Sequence, residues 1–374
     1  MRIVRIKGIE IKLHLSTLFI VGLVGFYAAA FYINIVSTPS LIELFLVGIT
    51  SGIIIIVSIL LHELAHSLVA QKYGLIVTEI ELYIFGGVSK IEKEPETPKS
   101  EIIIAAVGPL SSLVIGFVFL LIIFLSSSTL PAIIFVSLFY TGISNISLGL
   151  FNLIPAFPID GGRILRAFLW YRKRDILSAT KIASRVGSYL AYGLMAYGFL
   201  QIVLFGFIAG FWLVIIGSYL NRQTKQSYIQ VKNMAALSTI YAKEMISAPQ
   251  IKIPFEMLIS DAVSNYFMVY KKSYFSVIQR DKIVGIIHMN DIKKIPNEQR
   301  EEFIVGYAMR KASGFPTIDE KESGNEVMKK LVRIKEKPQL VVVRGKNDDF
   351  ILGFIGEDEL VSTIKFCQLN PEKC

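Results

Sequence analysis

Cysteine is scarce: two in 374 residues, Cys367 and Cys374, both in the C-terminal tail. That excludes a disulfide framework and a cysteine-ligated zinc cluster. Charge is scarce too, up to about Leu220, and the prospective loops near Ser37, Ser126 and Gln201 carry no Lys or Arg. Met1 to Lys12 holds four basic residues but leads into a long apolar run without a small-residue cleavage site. No cleavable signal peptide is therefore expected. Much of the net charge of +9 lies in short segments flanking apolar runs, and it is not a nucleic-acid footprint.

Hydrophobicity is in excess: 53% of residues, with a mean hydropathy of +0.55. The runs predict spans over 15–36, 41–70, 101–125 and 131–154, each long enough to cross a bilayer. The stretch 186–220 fits two more as a tight hairpin turning near 200–204. The N-terminus, the segments 72–99 and 163–185, and the region after Asn221 carry the Lys and Arg, those of 72–99 interspersed with Glu. The positive-inside rule puts these, with both termini, in the cytoplasm of a multi-pass cell-membrane protein.

Inside the second span stands His62-Glu63-Leu64-Ala65-His66. Histidines four apart share one helix face, so both imidazoles can reach one metal ion. Glu63 beside them can take a proton from water at that metal, the H-E-x-x-H pattern of zinc hydrolases. Two core histidines, or a proton path in a transporter, would give the same five residues. Ionisable groups in an apolar span are expensive, however, and mark function by default. No polar face is visible in the turns around the motif, which puts the site in or at the edge of the bilayer.

A third ligand is offered by Asp160, within Asn152-Leu-Ile-Pro155-Ala-Phe-Pro158-Ile-Asp160-Gly161-Gly162. Alone it reads as a turn aspartate; beside His62 and His66 it completes a site for one zinc per chain. Asn145 and Asn152, seven apart, share a helix face. His14 reads as an interfacial residue. Residues 77–91 read as a small β-hairpin turning at Gly86-Gly87, near the motif. It is either a plain connection or an open edge that takes an extended peptide by strand addition. Gly108-Pro109 marks a kink or close helix packing in the third span.

The two motifs together resemble the site-2 protease family of intramembrane zinc metalloproteases, over the chain to about Leu220. Gly108-Pro109 matches a further short motif of that family, no PDZ-like insertion is visible, and Ile159 stands where leucine or methionine is common. The resemblance implies zinc on His62, His66 and Asp160, water activation by Glu63, and Asn152 near the reacting centre, donating to the carbonyl oxygen. It also implies a transmembrane protein substrate, cleaved in regulated intramembrane proteolysis within the lipid bilayer.

After about Ala242 a pattern of helix, two strands and helix occurs twice. This resembles a pair of cystathionine-β-synthase (CBS) domains. Asp291 keeps the acidic position of that family's nucleotide signature and is the expected ribose contact for adenine nucleotide. His288, Gly356 and Glu359 depart from the signature, so a dimerising role, in a homodimer, stands beside nucleotide sensing.

The expected fold is a membrane α-helical bundle of about six transmembrane helices with a small β-hairpin, followed by a soluble α/β tandem CBS domain. The boundaries are 1–221 for the membrane domain, 222–243 for a polar linker, and 244–374 for the CBS pair (244–300 and 301–366). The expected activity is that of an intramembrane zinc endopeptidase. The alternative is an ion or small-solute transporter with a cytoplasmic regulatory CBS pair. No nucleic-acid partner is expected.

Overall fold

A computed structural model describes residues 2–83, 86–91, 94–126, 129–206, 209–246, 250–334, 337–345 and 350–370. Phe85 of the expected hairpin, Ser127 and Ser128 of an expected loop, and Cys374 lie outside these residues. The chain divides into two units, Met1–Ile229 and Gln230–Cys374.

Among the described residues the first unit holds α1 (Thr17–Ile33), α2 (Leu41–Lys72), α3 (Pro98–Ser126), α4 (Ala132–Asn152), α5 (Asp160–Lys173), α6 (Ile176–Phe205) and the larger part of α7 (Ala209–Ser238). α2 starts at a capping box in which Ser40 and Glu43 bond each other's backbone N–H, relieving two orphan donors at the helix end. Its 32 residues extend about 48 Å at 1.5 Å each, longer than a hydrocarbon core of ~30 Å. Large apolar side chains such as Phe26, Phe45, Ile53, Phe117 and Phe124 are exposed on these helices, as contact with lipid tails requires.

Among the described residues, four helices, α2, α3, α4 and α6, are long and apolar enough to cross a membrane. These four do not establish the expected count of about six. α1 has only 17 residues, and α7 turns polar at Asn221, so its apolar part is short. α6 and α7 do form a hairpin, with left-handed Gly206 capping α6. α3 runs unbroken through Pro109.

The expected hairpin is half of a larger element. β1 (Arg2–Ile6), β2 (Ile9–Leu13), β3 (Val77–Tyr83) and β4 (Gly86–Ile91) form one four-stranded sheet in that order. β2 and β3 pair in parallel, while the other two pairs are antiparallel. Ile9, Val77, Ile80 and Leu82 seal the sheet against Ala70 of α2 and Ile104 of α3. β4 is the edge strand on the side of α2.

The second unit repeats one pattern. β5 (Lys252–Pro254) pairs in parallel with β6 (Tyr274–Gln279), which forms a hairpin with β7 (Lys282–His288), and β8 (Arg310–Lys311) adds to β7. β9 (Thr317–Asp319) pairs in parallel with β10 (Val341–Arg344), which forms a hairpin with β11 (Ile351–Ile355). Helices follow the first strand and the hairpin in each half. The stretch 222–243, expected as a linker, is helical to Ser238. Leu237, Ile240 and Met245 pack with Ile318, Val327 and Val341 in the core of the second half. Val305 in turn packs with Ile253, Phe275 and Ile287 in the first. The leading segment of each half therefore packs in the core of the other half.

Candidate metal centre

His62 and His66 lie on the buried face of α2, about 15 Å and 9 Å from its C-terminal end at 1.5 Å per residue. Asp160 opens α5. The fold brings its Oδ2 to 3.3 Å from His62 Nε2 and 3.1 Å from His66 Nε2, and the two Nε2 atoms are 3.2 Å apart. Among the described residues this is the one group of three His, Cys, Asp or Glu placed to share a metal ion.

The back of each ring is held. His66 Nδ1 lies 2.6 Å from the carbonyl oxygen of Ile104. A carbonyl only accepts, so this nitrogen carries the proton, and in the neutral ring Nε2 faces the centre as a lone pair. His62 Nδ1 lies 2.9 Å from Ser112 Oγ, which can accept its proton and leave Nε2 free in the same way. Second contacts of this kind orient metal-binding histidines.

The donor set fits zinc. Two imidazole nitrogens and a carboxylate oxygen are the ligands zinc takes, and a tetrahedron with bonds of ~2.0 Å has edges of about 3.3 Å. The three observed edges match that length.

Glu63 is half-buried on the same turn. It accepts a hydrogen bond from Ser89 Oγ of β4 at 2.9 Å, and Ser67 Oγ donates to Ser89 Oγ at 3.0 Å. Two glycines admit these close approaches. A Cβ on Gly108 of α3 would stand 2.0 Å from His66 Nε2, and one on Gly87 of β4 would stand 2.3 Å from Glu63 Cγ. Any side chain at either position would displace a member of the site.

Asn152 is the last residue of α4, partly buried, and makes no hydrogen bond to the cluster among the described residues. Asn145 faces elsewhere: it is buried and donates to Ser58 Oγ and to the Thr141 carbonyl. His14 is exposed and bonds Ser16. α2 does have a polar face, made of Ser51, Ser58 and Ser67 with the two histidines and turned inward. The seven-residue step from Ser51 to Ser58 and the four-residue step to His62 carry that signal in the sequence. Ser112, Ser89 and the Ile104 carbonyl carry none.

In the second unit the expected ribose contact is already engaged. Asp291 is buried and bonded by Arg310 Nε at 2.7 Å, Arg310 Nη2 at 2.9 Å and Lys294 Nζ at 2.9 Å. Burial alone would raise its carboxyl, but Arg310 and Lys294 outweigh that and hold it below the usual carboxylate range. His288 caps a helix start by accepting from Asn290 N, and it lines a cavity of 220 Å³ with Lys337 and Asp358.

Known proteins similar to this chain include named zinc metalloproteases. The profile of Peptidase family M50 matches residues 51–135 and 127–194, which hold both motifs. Zinc metalloprotease MJ0392 of Methanocaldococcus jannaschii is 28% identical over 99% of this chain and 98% of its own. A relative in the same organism, named "Putative zinc metalloprotease MJ0611", is 34% identical over 33% of this chain and 71% of its own. A solved site-2 protease from Methanocaldococcus jannaschii is 31% identical, covers 60% of this chain and 94% of that one, and superimposes with a TM-score of 0.41. The CBS domain of a bacterial CNNM/CorC family Mg2+ transporter covers 37% of this chain and 83% of that one at 15% identity, with a TM-score of 0.32. With both motifs inside the matched region, and a relative above 30% identity spanned for most of its length, the chain belongs to peptidase family M50, the site-2 protease family of membrane zinc metalloproteases.

Proposed function

We propose that His62, His66 and Asp160 hold one zinc ion, and that Glu63 serves as general base and acid in hydrolysis of a peptide bond in a transmembrane substrate. The observation that carries this reading is the convergence, at 3.1–3.3 Å, of two Nε2 atoms from the apolar helix α2 and one carboxylate oxygen from the start of α5. Zinc, when bound, supplies Lewis acidity toward water and the peptide carbonyl. Glu63 accepts the proton of the attacking water and returns it to the leaving amine. Its hydrogen bond from Ser89 leaves its second carboxylate oxygen for that proton. Asn152 is assigned, from the family resemblance, the hydrogen bond to the carbonyl oxygen.

A helical substrate hides its carbonyls and must unwind before attack. β4 is the edge of its sheet and touches Glu63 through Ser89. A peptide added to that edge would be extended beside Glu63. On the positive-inside rule the termini are read as cytoplasmic, and the role proposed is regulated intramembrane proteolysis. The second unit, with its repeated parallel strand and hairpin, is assigned a regulatory or dimerising role as a CBS pair. For adenine nucleotide to bind as the signature implies, Asp291 must exchange Arg310 and Lys294 for ribose hydroxyls.

The test is cleavage of a transmembrane peptide by purified full-length protein. Cleavage should stop with a chelator and resume with added zinc. Chelator-resistant cleavage would refute the reading.

A further inference from the structure

Arg166 lies on α5, six residues after Asp160, and Glu101 lies in the first turn of α3, three residues before the Ile104 carbonyl that holds His66. Arg166 Nε donates to Glu101 Oε1 at 2.7 Å, and Nη2 bonds the same oxygen. Arg166 Nη1 stands 3.5 Å from Glu94 Oε2. The guanidinium also covers the Phe157 ring, 5.2 Å from its centroid. Phe157 precedes Asp160 by three residues, so Arg166 touches the chain on both sides of that carboxylate.

Glu101 is fully buried and Arg166 is 4% exposed. Taking both charges out of water is costly, and apolar replacement of such a pair is often neutral or stabilising. Stability alone therefore does not account for the pair. Its placement does: one end is tied to the element that orients His66, the other to the element that carries Asp160.

We infer that Glu101 and Arg166 are positioning residues for the metal centre, holding Asp160 in register with the Ile104 carbonyl and hence with His66. The inference rests on the ligand assignment proposed above. It is of the kind in which outer contacts, left unsupported, weaken metal binding by about 10- to 100-fold.

The experiment uses full-length protein in detergent, with three readouts: zinc Kd by chelator competition, the absorption spectrum of the cobalt-substituted site, and the melting temperature of the metal-free form. The double variant Glu101→Leu/Arg166→Met should melt close to the parent, bind zinc about 10- to 100-fold more weakly, and show a changed cobalt spectrum. Arg166→Lys keeps the charge and loses the two-pronged fork. It should show a smaller zinc defect, and it carries the test if the double variant does not fold. Parental zinc Kd and cobalt spectrum in either folded variant would overturn the inference. His66→Ala separates the two levels: zinc retained there overturns the ligand assignment itself, whereas zinc lost there, with parental binding in the double variant, overturns the positioning role alone.

Discussion

Two aspartates of this protein, Asp160 partly buried and Asp291 buried, have opposite surroundings. Asp160 Oδ2 faces two histidine nitrogens; the Ile104 carbonyl takes the ring proton of His66, Ser112 Oγ can take that of His62, and Arg163 Nη1 stands 3.9 Å away at the other carboxylate oxygen. Asp291 faces three donor nitrogens from Arg310 and Lys294. Acceptors gathered against acceptors repel unless a cation sits among them. A carboxylate ringed by donors is complete as it stands. The comparison teaches that burial of an acid does not mark a ligand site; the sign of its neighbours does.

The hardest way to break this comparison is to remove the cation. His66→Ala should lower zinc affinity by more than about a hundredfold and abolish cleavage, since it removes one of three protein ligands outright, a larger loss than the roughly 10- to 100-fold of an outer contact. Metal analysis of the purified variant checks it, and stoichiometric zinc would contradict it. Asp291→Ala in the same assay should leave zinc unchanged. Next in size is Glu63→Gln. The amide keeps the shape but cannot accept the proton, so kcat should fall about 10²- to 10⁴-fold with zinc content intact.

How much of this could be read from the chain depends on the range of each interaction. The apolar runs and the four-residue histidine spacing are local, and α1 to α4 start and end within four residues of the predicted spans. Asp160 became readable only beside the histidines, and the motif pair carried it. What stayed hidden has no local trace. Parallel pairing of β2 with β3 joins residues such as Ile11 and Ile80 across two helices. β5 and β9 are three residues long, too short for an alternating pattern. The Ile104 carbonyl is backbone, which any residue would supply. The Glu101–Arg166 pair spans 65 residues. The polar inner face of α2 was present as Ser51 and Ser58 but is small beside the isoleucines around it.

A finer probe of the acceptor side is Ser89→Ala. It removes one hydrogen bond to the Glu63 carboxylate, a contact worth about 1.5 kcal/mol or roughly tenfold in rate. kcat should fall by about that factor with zinc affinity unchanged, whereas a change confined to KM would assign Ser89 to substrate binding. Ser89→Thr, which keeps the hydroxyl, should restore most of the rate.

The smallest effect is expected on the donor side. Asp291→Asn keeps the volume and removes the charge that Arg310 and Lys294 share. Arg310 is 35% exposed, so water takes over part of its partner's role and the loss should be about 1–2 kcal/mol, not the 3–5 kcal/mol of a fully buried pair. The sign with pH follows from the lowered carboxyl. The unfolded chain takes up the proton first, near pH 4, so the pair contributes fully above that value and its contribution is lost as pH falls through the lower folded value. Hydrogen exchange of the β7 amides should therefore show parent and Asp291→Asn differing at pH 6 and converging as pH falls below about 4. A difference that stayed constant with pH would mean that Asp291 acts through its shape and not through its charge.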